Sequence, residues 1–159
     1  MTNRPNPDRY LRPDWFTRNV ANHIMIFLTR IGISVRGSRI LRVRGRKSGE
    51  LRTTPVNLLD QGVDRYLVAP RGETQWVRNL RAAGRGELVV GRHVEAFGFE
   101  ELEDDDKPAL LRAYLKKWKF EVGMFFDGVD PHSPDADLRR IAPGYPVFKL
   151  TNVDPATAA

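Results

Sequence analysis

Apolar positions early in the chain recur at Phe16, Val20, Ile24, Phe27, Leu28 and Ile31. This near-helical spacing predicts a helix over about 14–31, with Asp14 as N-cap and Gly32 as stop. Met25 and Ile26 widen that face, so the helix is expected to pack on more than one side or to border a ligand pocket. From Arg39 the period drops to two. Leu41 and Val43 alternate with Arg42 and Arg44, and Thr54, Val56 and Leu58 alternate again after a Gly-bounded turn, which reads as a hairpin of two strands. A third strand from Tyr66 to Ala69 lies between the turns Gln61 to Asp64 and Pro70 to Gly72. Trp76, Val77, Leu80 and Arg81 then form a short helix closed by Gly84 and Gly86. Strands at 87–91 and 93–100 follow, with only a tight turn between them.

The clearest helical stripe comes next. Leu110, Tyr114, Trp118 and Val122 fall four residues apart, Leu111 and Leu115 broaden the face, and Asp104 to Asp106 supply negative charge where the helix opens. A turn-rich stretch with Pro131, Pro134 and Pro143 contains one helical turn near 135–141, and Tyr145 to Asn152 reads as the last strand. Short connections favour antiparallel pairing. The sum is a mainly β chain with flanking helices, an α+β fold of about six antiparallel strands in a closed or partly closed sheet. Residues 1–13 interleave Arg4, Arg9 and Arg12 with Pro5, Pro7 and Pro13 and read as an extended arm, 14–153 as a single domain, and 154–159 as a frayed tail.

Composition narrows the chemistry. At 159 residues the chain supports one ordinary core, and with Cys 0 it has no disulfide, thiolate metal site or cysteine nucleophile. Neither a signal-peptide core nor an apolar stretch of about 18 residues occurs, which makes a cytoplasmic protein the expectation. The run Ile24 to Leu28 behind a basic arm keeps peripheral membrane association, and a lipid-binding role, in view as the alternative. Charge is unevenly spread: +9 over residues 1–52, +1 over 53–99 and −4 over 100–159, with Arg supplying 20 of the 26 basic residues. A guanidinium is the better partner for phosphate and carboxylate, so the front half is expected to meet a small anion. The acidic last third and the lack of a nucleic-acid motif argue against a nucleic-acid partner. His23, His93 and His132 form no metal-ligand pair, and Asp127, Asp130, His132, Asp135 and Asp137 lack calcium-loop spacing, so no metal is assigned.

The segment that carries chemistry is Gly45-Arg46-Lys47-Ser48-Gly49-Glu50-Leu51-Arg52-Thr53-Thr54-Pro55. Its glycines allow a tight turn with exposed N–H groups, Arg46, Lys47 and Arg52 bring three cations together, and Ser48 and Thr53 add hydroxyls. It lacks the spacing of a P-loop. Such a turn suits a phosphate or carboxylate, and an ordinary basic hairpin turn is the plain alternative.

This segment resembles the deazaflavin-dependent nitroreductase family, whose members use coenzyme F420, and so does Leu67-Val68-Ala69-Pro70-Arg71-Gly72 followed by Trp76-Val77-Arg78-Asn79-Leu80. The likeness runs from about Ile40 to Leu102 and implies a split β-barrel related to FMN-binding barrels. It implies F420 rather than FMN as cofactor, and a small-molecule hydride acceptor such as a quinone, nitroaromatic or activated alkene. By the same resemblance Arg46, Lys47 and Arg52, with Ser48 and Gly49 in their turn, would hold the phosphate and glutamate tail. Thr54 and Pro55 would lie beside the ring, Ala69, Arg71 and Gly72 would offer backbone donors, and Trp76, Asn79 and Leu80 would close the groove. Two departures mark the acceptor side. The loop Pro70 to Gln75 is shorter than in the family's nitroreductase branch, and Asn57 stands where that branch has a tyrosine. Hydride transfer needs no nucleophile or metal, only alignment, exclusion of water and stabilised charge. No catalytic residue is therefore assigned, and the candidate pocket residues are Tyr10, Trp15, Tyr114, Trp118, Phe126 and Tyr145, each with core packing as its plain role. A monomer and a homodimer are equally compatible with the sequence.

Overall fold

In the computed structural model, which describes residues 38–153, the period-two segments all form strands. They are β1 (Ser38–Arg44), β2 (Leu51–Gln61), β3 (Asp64–Val68), β4 (Arg85–Val90), β5 (His93–Glu101) and β6 (Val147–Asn152). Three helices of a turn or more join them: α1 (Gln75–Ala83), α2 (Pro108–Val122) and α3 (Asp135–Ile141). The expected arm, first helix and tail, with Tyr10 and Trp15, lie outside the described residues. The strands hydrogen-bond in the cyclic order β1-β2-β3-β6-β5-β4, which closes the sheet into a six-stranded barrel. The pairings β1 with β2, β1 with β4, β3 with β6 and β4 with β5 are antiparallel. Short connections thus pair as the sequence predicts, and the long returns from β1 to β4 and β3 to β6 complete the ring.

The described residues fall into two compact units. The first comprises Leu59–Thr74 and Glu101–Lys149. Its core is built by the helical stripe: Leu111, Tyr114, Leu115, Trp118 and Val122 of α2 are buried with Phe126, Leu138, Ile141 and Tyr145. Phe126 stacks on Tyr145 with ring centroids 4.4 Å apart, and the Tyr145 hydroxyl is satisfied by donating to the Phe125 carbonyl. Two boundaries differ from expectation for identifiable reasons. Asp104–Asp106 form a separate 3-10 turn, and α2 starts at Pro108, whose missing N–H and fixed φ suit a first helical position. The nearly buried Lys107 ties this turn down, donating from Nζ to Asp104 Oδ1 at 2.7 Å and to the Ala142 carbonyl at 3.3 Å. The last strand begins at Val147 rather than Tyr145, because the Tyr145 N–H closes a 3-10 turn on the Ala142 carbonyl.

The second unit comprises residues 38–58, Gln75–Glu100 and 150–153. Helix α1 packs against β1 and β4. Accordingly β1 buries the consecutive residues Ile40 and Leu41, the mark of a strand covered on both faces. Next along β1, Arg42 lies in register with Glu87 across the β1–β4 pair, where their side chains form an ion pair. Gly86 sets how closely α1 can approach: a Cβ there would lie 2.8 Å from Phe97 Cζ and 3.2 Å from Leu80 Cδ1. Gly86→Ala is therefore expected to lower stability by about 1–3 kcal/mol, the cost of overpacking a filled core, as read from urea denaturation midpoints. A wild-type midpoint would show that Leu80 and Phe97 yield freely.

Candidate functional site

The turn between β1 and β2 is closed by its own backbone. Gly45 N–H donates to the Glu50 carbonyl and Gly49 N–H to the Gly45 carbonyl, both at 2.8 Å, and the Ser48 hydroxyl accepts from the Glu50 N–H at 3.2 Å. Gly49 has φ +71°, a left-handed conformation that a glycine adopts without strain. Gly45 is buried, and a Cβ on it would stand 3.0 Å from Ser48 Oγ. The two glycines thus hold a tight turn that lifts Arg46, Lys47 and Ser48 into solvent, where all three are exposed.

Helix α1 fixes the turn from outside. Asn79, only 6% exposed, accepts at Oδ1 from the Arg46 backbone N–H at 3.2 Å and from its guanidinium at 2.8 Å. Gln75, one helical turn earlier, accepts from the same guanidinium nitrogen at 3.0 Å. The Arg44 guanidinium donates to the Gly49 carbonyl at 2.7 Å, across the turn. Arg52 meets Glu50 at 3.0 Å, but with its side chain 59% exposed this surface pair contributes little. Lys47 has no hydrogen bond or ion pair among the described residues. The structure therefore gathers four cations, Arg44, Arg46, Lys47 and Arg52, on one short stretch, and among the described residues only Arg52 faces a carboxylate. Sequence reading missed Arg44 and Gln75. The alternation that puts Arg42 and Arg44 on one face of β1 was the available signal for the first, and the i, i+4 spacing of Gln75 and Asn79 for the second.

The other expected contacts fall in different surroundings. Thr54 and Pro55 are half-buried on β2, opposite Leu41 and Ile40. Trp76 is half-buried at the start of α1, while Leu80 is fully buried and serves the packing of that helix on Gly86 and Phe97. In the first unit the loop after β3 spends its donors internally. Ala69 N–H goes to the Pro146 carbonyl at 2.9 Å and Gly72 N–H to the Ala69 carbonyl at 3.1 Å, so both donors are engaged within the unit, and Arg71 is half-buried between them in the chain. Tyr114, Trp118, Phe126 and Tyr145 are all within the core of that unit at 0–1% exposure, which gives them a packing role.

The acidic stretch after α2 is likewise committed. Asp130 accepts from the His132 N–H at 2.7 Å and also meets the Ser133 hydroxyl, and the His132 backbone donor holds its carboxyl below the usual carboxylate range. Asp135 pairs with Arg112 and Asp137 with Arg140. Among the described residues no group of three His, Asp or Glu side chains is gathered as metal ligands, and no helix is long and apolar enough to cross a membrane.

A family model described as F420H(2)-dependent quinone reductase matches residues 15–121. No curated protein matches the chain. Among solved structures, one described as a domain-swapped dimer is 17% identical, covering 87% of this chain and 98% of its own, with a TM-score of 0.52. A protein of unknown function from Agrobacterium tumefaciens str. C58 is 13% identical over 92% of this chain and 62% of its own, also at 0.52. An F420-H2 dependent reductase is 19% identical over 73% and 95%, with a TM-score of 0.48. At these identities the first two show a shared fold.

Proposed function

The chain belongs to the family of F420H(2)-dependent quinone reductases, which are oxidoreductases, and from that premise we propose that its basic turn holds the acidic tail of the reduced deazaflavin used to reduce a quinone, nitroaromatic or activated alkene. The observation that carries this reading is the donor set at the turn. Arg44 and Arg46 are oriented by neutral oxygens, and Lys47 is unengaged among the described residues, so three positive charges remain for an anion. A phosphate followed by carboxylates is the ligand chemistry that such a row of cations fits. When bound, the coenzyme supplies the hydride.

The protein's own work in this reading is positional. Arg46 and Lys47, with Arg44 and Arg52 beside them, anchor the tail, and binding energy gained there holds the reacting end in place without demanding charge near it. Thr54 and Pro55, on the strand that leaves the turn, would lie along the ring. No side chain is needed as nucleophile. The Ser48 hydroxyl, being engaged by the Glu50 N–H, shapes the turn and can still donate its own proton to a phosphate oxygen. Reduction occurs in a cytoplasmic protein on this proposal, with a small-molecule acceptor as the partner.

The test is titration of purified protein with oxidised F420, followed by the coenzyme's fluorescence, with FMN as the parallel ligand. F420 is expected to bind in the micromolar range or tighter, and FMN at least about tenfold more weakly, since it has the phosphate but lacks the further carboxylates that would pair with the remaining cations. Equal affinity for the two would remove the tail from the explanation of the basic turn.

A further inference from the structure

We infer that Asn79, together with Gln75, is a positioning residue of the anion site: neutral amides on α1 hold Arg46 in place without cancelling its charge. The inference rests on the tail-binding reading of the turn and adds a requirement to it, that the groups which orient the cation be uncharged.

Two arginines of this unit supply the contrast, while Arg44, which donates to the Gly49 carbonyl, shares the neutral partnering of Arg46. Arg42 is paired with Glu87 and Arg52 with Glu50, each guanidinium facing a carboxylate. Among the described residues Arg46 takes amide oxygens alone, from Asn79 at 2.8 Å and Gln75 at 3.0 Å. An amide oxygen orients a guanidinium through hydrogen bonds and leaves its net charge intact, whereas a carboxylate in the same place would bond more strongly and neutralise it. The amides therefore leave the Arg46 charge available to a ligand.

The position of Asn79 is set by packing. It sits beside the fully buried Leu80 on α1, which Leu80 docks against Gly86, and is itself 6% exposed. Its oxygen therefore meets both the backbone N–H and the side chain of Arg46, fixing the turn and the cation at once. Only one guanidinium nitrogen is used in these contacts, so the rest of the Arg46 fork, exposed at the surface, can meet phosphate or carboxylate.

The experiment compares Asn79→Asp, Gln75→Glu and Lys47→Ala with wild type, by titration with oxidised F420 carrying its full tail or a truncated one, and by thermal melting. Asn79→Asp keeps the acceptor geometry and adds a negative charge. It is expected to remain folded at assay temperature, to bind the full-tailed coenzyme about tenfold more weakly at low salt, and to bind the truncated form as wild type does. The loss should shrink as salt rises. A purely structural role would move the melting temperature and leave the ratio of the two affinities unchanged. Gln75 is exposed, so Gln75→Glu makes the same charge test without touching the core and decides the matter if Asn79→Asp melts early. Wild-type affinity ratios in the deciding variant, with Lys47→Ala selectively losing the full-tailed form, would overturn the inference and leave the tail site standing. An unchanged ratio in Lys47→Ala as well would remove both.

Discussion

Replacing Arg46 and Lys47 together with alanine is expected to weaken binding of full-tailed oxidised F420 by about a hundredfold and to change the affinity for a tail-truncated form by only a few-fold. Each charge-assisted hydrogen bond to an anion contributes roughly 1.5 kcal/mol or more, and two of them amount to about two decades in Kd. Both side chains are exposed, so screening trims the effect, and the loss should fall as ionic strength rises. The two substitutions are not equivalent. Lys47 has no partner among the described residues, so its removal should leave the fold untouched. Removing Arg46 also strips the side-chain donor from the buried Asn79 oxygen, which keeps the backbone N–H of residue 46, adding a structural cost of about 0.5–1.5 kcal/mol that melting would reveal. Titration of the single and double variants with both coenzyme forms separates these contributions. Equal losses for the two forms would place the cations away from the tail.

The turn was legible in the sequence because everything that defines it is local. Gly45 and Gly49, five residues apart inclusive, flank the cations, and β1 and β2 on either side show their own alternation. The stripe of α2 was legible for the same reason, its apolar residues repeating every four positions. What escaped was non-local or a matter of competing local chemistry. Asn79 lies 33 residues from Arg46, and nothing in the spacing of either reveals that α1 is laid against β1. The return of β4 to β1 and of β6 to β3 is invisible to any window of the chain, although the short turns between neighbours made antiparallel pairing predictable. The acidic run at Asp104–Asp106 looked like a helix start, yet Pro108 two residues later claimed that position. Aromatic residues were the hardest to place. Tyr114, Trp118, Phe126 and Tyr145 suit a planar ligand and a hydrophobic core equally well by type, and only burial distinguishes the two.

Trp118→Ala is expected to destabilise the protein by about 3–5 kcal/mol, the usual cost of emptying a buried indole site, and to lower the melting temperature by roughly 10 °C. Trp118 is 1% exposed and has the largest fully buried side chain of the described residues, packed in one cluster with Tyr114, Leu115, Val122 and Phe126. Its neighbour Lys117 places its ammonium over the ring, 5.1 Å from the centroid, so the indole also carries a cation contact. Such a loss alone would not distinguish a core residue from one that also lines a pocket. Trp118→Phe does, because it keeps most of the apolar volume and the protein should remain folded at assay temperature. If packing is the whole role, this variant melts somewhat early while F420 affinity and the KM for a quinone acceptor stay at wild-type values. A raised KM with unchanged melting would mean instead that the ring touches the acceptor, and the burial that encloses it here would have to open for catalysis.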